Sequence, residues 1–182
     1  MTSTDGKLDR LLYRLVRGET SPQAFVKALD ELDPDPADAL AEQLTQAEPE
    51  QKADIIQGLR CLEDRRILLP VMRFIFDTSP ERDHGDARAL GMRLLVEKAD
   101  HGNLDQLFEF AKDLKEDPDP FVSANAFRLM VQTRPSEALP ILVNHYHNEE
   151  WPVFVKETLE ELIRSFDTSP IPGIEQLERH RL

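Results

Sequence analysis

The chain has 182 residues, 40% hydrophobic and 31% charged, which is enough apolar material for a continuous core and excludes a wholly disordered chain. Its formal charge of −13 repels a phosphate backbone, so it argues against nucleic acid as a partner and favours solubility or basic partners. The lone cysteine, Cys61, can form no intramolecular disulfide and has no Cys/His zinc spacing around it, and no stretch nears the ~18 apolar residues of a membrane span. The first ten residues lack a signal-peptide core, and Arg outnumbers Lys, so a cytoplasmic protein of bacterial source is expected.

Strand alternation is nearly absent, and helical spacing runs along most of the chain. Leu8, Leu11, Leu12, Leu15 and Val16 predict a first helix, closed by Gly18. Ser21-Pro22 then supplies a cap and a first-turn proline for a second helix carrying Phe25, Val26 and Leu29. Pro34 and Pro36 precede a helix at 36–46, Pro49 starts one at 49–62, and a helix at 65–76 ends at Asp77-Thr-Ser-Pro80. Helices at 84–98, 103–114, 119–133, 136–147 and 152–166 follow, several with proline near their starts. Connections of a few residues make consecutive helices antiparallel neighbours. Residues 167–182 read as a loose tail; the second Asp-Thr-Ser-Pro, at 167–170, is helix-stop chemistry.

An internal period links these helices. Counting from Val122-Ser123, equivalent pairs fall at Val155-Lys156, 33 residues later, at Ala87-Arg88, 35 earlier, and at Gln51-Lys52, 36 before that. Four positions after the first member come Ile55, Gly91, Ala126 and Leu159; eight after it come Leu59, Leu95, Met130 and Ile163. All eight are apolar or small and share one helical face. The two N-terminal helices fall outside the period, since Val26-Lys27 lies only 25 residues before Gln51-Lys52.

The stretch Asp117-Pro-Asp-Pro-Phe-Val-Ser-Ala-Asn-Ala-Phe-Arg-Leu-Met130 resembles the second-helix signature of a HEAT repeat, in which an Asp/Pro turn precedes a Val-Arg pair. It departs from that pattern in having Ser123 at the basic position, and the acidic turn residue is clear only at Asp117. The resemblance, covering about 36–166, implies an all-α, right-handed α-α superhelix, a HEAT-like solenoid. About four helical hairpins would follow a two-helix N-terminal cap at 5–32 in one domain spanning 1–182. In that family the second helix of each hairpin lines the concave side.

On those helices Lys52, Arg88 and Lys156 occupy the pair position, Arg93 and Arg128 the site six after its first member, and Arg60 and Arg164 the site nine after it. Such bases either pair with acidic turn residues as a structural ladder or project into the groove to grip an acidic partner segment. Arg88, Arg93, Arg128 and Lys156 are the candidate partner contacts, with Trp151 at the rim. Phe121, Trp151 and Phe154 sit at helix starts, where aromatics usually staple a turn to the preceding helix; an exposed Trp151 would be an anchor instead. The acidic run 30–38 reads as a solvated loop or a docking patch for a basic partner. His145 and His147, two apart, face opposite sides of a helix and make a poor metal pair, and Cys61 is expected to be a small buried residue.

No phosphate loop, H-E-x-x-H or G-x-S-x-G is present. The expectation is a non-enzymatic adaptor or scaffold, without cofactor or metal, that holds a protein partner on a concave face or exposed end. A small acidic immunity protein neutralising a toxin or nuclease is an alternative. The resemblance also reaches bilin-lyase-like chromophore-handling proteins and HEAT-like DNA glycosylases, the last opposed by the charge.

Overall fold

A computed structural model of the chain describes residues 5–32, 37–62, 65–78, 87–101, 103–147 and 150–167. Among these the protein is all-helical, with no strand. The helices are α1 (Asp5–Val16), α2 (Pro22–Leu32), α3 (Ala37–Gln46), α4 (Pro49–Arg60), α5 (Leu68–Asp77), α6 (Ala87–Glu97), α7 (Leu104–Leu114), α8 (Pro120–Thr133), α9 (Pro135–Tyr146) and α10 (Val153–Asp167). Short 3-10 turns lie at Arg65–Ile67 and Ala99–His101. No described helix is long and apolar enough to cross a membrane. Ser79 and Pro80 of the Asp-Thr-Ser-Pro turn at 77–80, most of the acidic run at 30–38 and the expected tail after 167 lie outside the described residues or side chains.

The helix ends follow local chemistry. At the close of α1, Gly18 takes a φ of +69°, while its N–H donates to Leu15 O at 3.0 Å and Glu19 N–H donates to Arg14 O at 2.8 Å. This is the left-handed cap for which glycine has no steric penalty. Ser21 accepts from Ala24 N–H at 3.2 Å at the start of α2, and Asp119 accepts from Phe121 N–H at 2.8 Å at the start of α8. Gln51, the one non-apolar residue among the first members of the four pairs, accepts from the Glu48 N–H at 3.4 Å and is exposed. Its place in the period is thus spent on capping α4.

Two compact units divide the chain, Met1–Asn103 and Leu104–Leu182. In the N-terminal unit α1 packs on α2 and α4, α3 on α5, and α4 and α5 both on α6. Within it α3 and α4, adjacent in sequence, touch each other far less than each touches the next helix but one. Leu8, Leu12 and Leu15 of α1, Phe25, Leu40, Leu44, Ile56, Leu59, Phe74, Ile75 and Leu95 form its interior. In the C-terminal unit α8 is central, packing on α7, α9 and α10, around a fully buried Phe127. Six of the eight inward positions set by the period are buried; Ile55 and Ile163 are half-buried.

Gly91 marks where α6 lies closest to α5. A Cβ there would come within 3.0 Å of Ile75 Cδ1 and 3.3 Å of Val71 Cγ1, in a fully packed seam. Gly91→Val is expected to destabilise the protein by about 1–3 kcal/mol, because overpacking outweighs the small gain in helix propensity. A urea midpoint measures this, and an unchanged midpoint would mean that the seam yields.

Candidate functional site

The helices α8 and α10 begin alike: an apolar Phe-Val step follows a proline, directly after Pro120 in one and one residue after Pro152, past Val153, in the other. Val122 and Val155 are fully buried, which fixes the rotation of each helix and sends the preceding phenylalanines to the surface. Phe121 and Phe154 stack on each other with ring centroids 4.6 Å apart and planes 23° apart. Phe121 nevertheless stays 54% exposed, while Phe154 is half-buried and Val153, the residue before it on α10, is 73% exposed.

One turn further on, both helices carry a polar residue that bonds back to its phenylalanine. Asn125 Nδ2 donates to Phe121 O, and the Thr158 hydroxyl donates to Phe154 O, each at 2.9 Å. Arg128 lies across them, its guanidinium donating to Asn125 Oδ1 at 3.3 Å and to Thr158 Oγ1 at 3.5 Å. It is half-buried and has no carboxylate partner among the described residues. A guanidinium with five N–H donors, two of them in long bonds to neutral acceptors, keeps capacity for a bidentate carboxylate.

The other candidate residues fare differently. Arg88 is only 3% exposed, and its Nε donates to the Ile75 carbonyl at 3.1 Å. It ties α6 to the end of α5, so the expectation of Arg88 as a partner contact is corrected: a residue enclosed by its own fold cannot reach a partner. Ser123, the departure from the basic pattern, plays a similar part, its hydroxyl donating to Asp117 O at 2.9 Å. Arg88 and Ser123, both at the pair position, thus each hold a main-chain carbonyl.

Arg93 is exposed and donates to Glu97 Oε1 at 3.1 Å, while Arg60, from α4, grips both oxygens of the same carboxylate. The Arg60 hydrogen bond holds the Glu97 carboxyl below the ordinary carboxylate range, against the opposing effect of burial, with the charges of Arg60 and Arg93 adding to it. Arg164 pairs with Glu160 on its own helix. Lys52 sits over the Phe74 ring, 5.7 Å from its centroid. Lys156 is half-buried and is not a free cation.

Trp151 turns inward, which corrects its reading as a rim anchor. It meets Phe127 edge-on at 6.1 Å and lies 6.2 Å from the His145 ring, so it staples the start of α10 to α8 and α9. Its indole N–H is buried without an acceptor among the described residues. Phe121 and Phe154, read from sequence as similar staples, instead stack outward on one another. Cys61, expected to be buried, is exposed at the end of α4, because the helix stops at Arg60 and Leu62 takes the inward place.

Among the described residues no three His, Cys, Asp or Glu side chains gather as they would around a metal ion. No family model matches the chain, and neither the curated proteins nor the solved structures contain a match to it.

His145 is buried between Phe127 and Trp151, 3.7 Å from Glu116. Burial lowers its pKa below the ordinary imidazole value; Glu116 opposes this and Lys115 reinforces it. The folded chain therefore takes up the proton less readily than the unfolded one. The stability this confers is present above the ordinary imidazole value and is lost as pH falls from there through the lowered value of the folded state. Urea midpoints at pH 7.5 and 5.5 should differ more for the native chain than for His145→Gln; an equal difference would assign the acid sensitivity to other groups.

Proposed function

We propose that this chain is a non-catalytic interaction module, an adaptor or scaffold, that holds a segment of a protein partner on the face shared by α8 and α10. The observation that carries this is the stack of exposed Phe121 on half-buried Phe154 beside Arg128, a cation with no carboxylate partner among the described residues. An aromatic pair offers apolar contact area at low entropic cost, and an adjacent guanidinium selects a carboxylate. The fitting segment therefore carries an apolar side chain next to an Asp, a Glu or a chain-terminal carboxylate.

In our reading the helices form HEAT-like hairpins, about four in a right-handed α-α superhelix behind an N-terminal cap. Like helices packing on like supports it within each unit: α3 on α5 and α4 on α6 in the first, α8 on α10 in the second. On this reading α8 and α10 are inner helices, and Phe121, Asn125 and Arg128 lie at i, i+4 and i+7 along one of them. The exposed free thiol of Cys61 supports a reducing, cytoplasmic setting.

The test compares partners captured from the source cells by the native chain and by Arg128→Ala, Phe121→Ser and a control, Phe76→Ser, which alters an exposed phenylalanine of the other unit. One partner should be held by the native chain and the control and bound about tenfold more weakly by the other two, or about 1.4 kcal/mol. Retention by all variants would move the contact to the acidic surface, as the inhibitor reading requires. No capture by any form would remove the adaptor reading.

A further inference from the structure

A second surface lies in the N-terminal unit, on helix α1, which stands outside the period of the later helices. Lys7, Arg10 and Arg14 recur at i, i+3 and i+7 along it, with Arg17 in the turn just past its end, on a face distinct from the buried row Leu8, Leu12 and Leu15. All four are exposed, and none has a carboxylate partner among the described residues; Arg17 lies over the Tyr13 ring, 4.6 Å from its centroid. Lys7, Arg10 and Arg14 line a cleft of about 330 Å³ between α1 and α2, with Leu11 and Ala28 half-buried within it and Glu31 at its edge.

An ordinary solvated helix face mixes both signs, since bases three or four apart from acids gain a few tenths of a kcal/mol and like charges at that spacing lose as much. The row on α1 does the opposite. Every neighbouring pair in it is basic, in a chain with 35 acidic and 22 basic residues. Self-repulsion along the row is relieved when carboxylates are laid against it. The spacing says what form they take: three and four residues alternate over about 15 Å of helix, which matches glutamates at the same spacing on a second helix. Leu11 and Ala28 add apolar lining beside the bases, which suits a helix with an apolar side chain among its acids.

We propose that the α1–α2 cleft docks an acidic amphipathic helix of a partner protein, through Lys7, Arg10, Arg14 and Arg17. This surface is separate from the α8–α10 face and does not depend on it. The test uses the full chain and an alanine-rich helical peptide bearing glutamates three and four residues apart, followed by fluorescence anisotropy. Three probes are compared: this peptide, the same peptide with glutamine throughout, and inorganic polyphosphate. The glutamate peptide should bind, weaken as salt rises, and lose at least about tenfold in affinity against the combined Lys7→Gln, Arg10→Gln, Arg14→Gln variant. Phe121→Ser should bind it as the native chain does. The triple variant should also unfold at an equal or higher urea midpoint, since like-charge repulsion is removed. Equal binding by the triple variant, tighter binding of polyphosphate, or no binding at low ionic strength would overturn the proposal.

Discussion

A helix of ten to fifteen residues has little stability of its own in water, because nucleation costs more than so few hydrogen bonds return. Every described helix of this protein falls in that range, from α3 and α5 at 10 residues to α10 at 15. Each therefore persists only by burying its apolar stripe on a neighbour. That requirement fixes the rotation of each helix about its axis, and so decides which side chains are left for solvent. Val122 and Val155 are buried, so Phe121 is left exposed and Phe154 half-buried. Leu8, Leu12 and Leu15 are buried on the same terms, so the bases between them face out. The two candidate surfaces are by-products of packing before they are anything else.

The same requirement explains what the sequence revealed. Helix ends were legible because their signals are local: the Gly18 turn, the Ser21-Pro22 start and the Asp119 cap each act within a few residues. Inward faces were legible because periodicity is a property of one helix at a time, and the half-burial of Ile55 and Ile163 marks its limit near the ends of each run. What a side chain meets across a gap was not. An arginine at a helix start reads as a surface cation, yet Arg88 reaches back to the Ile75 carbonyl, 13 residues away, and is enclosed. Three aromatics at helix starts look alike in sequence. Trp151 turns in toward Phe127, whereas Phe121 and Phe154 find each other, because only the packing of α8 beside α10 brings them together. The base row of α1 lies outside the repeat period, so the period says nothing of it.

Burial and pairing withhold a charge to very different degrees. Arg88 is removed by burial, since exposing it would mean opening the α5–α6 seam that also holds Gly91 against Ile75. Arg93 is only paired. An exposed ion pair contributes about 0–1 kcal/mol, and Glu97 would keep Arg60 if Arg93 let go. Arg93 therefore remains open to a partner at small cost. Arg128 differs again, for its present acceptors are neutral and its bonds to them long. A carboxylate arriving there displaces weak bonds and meets a charge with no carboxylate partner among the described residues. By this ordering the bases most ready for an external acid are Arg128 and the α1 row, then Arg93, and never Arg88. Readiness is thus set by what each base must surrender, which depends on packing across helices and not on its place in the repeat.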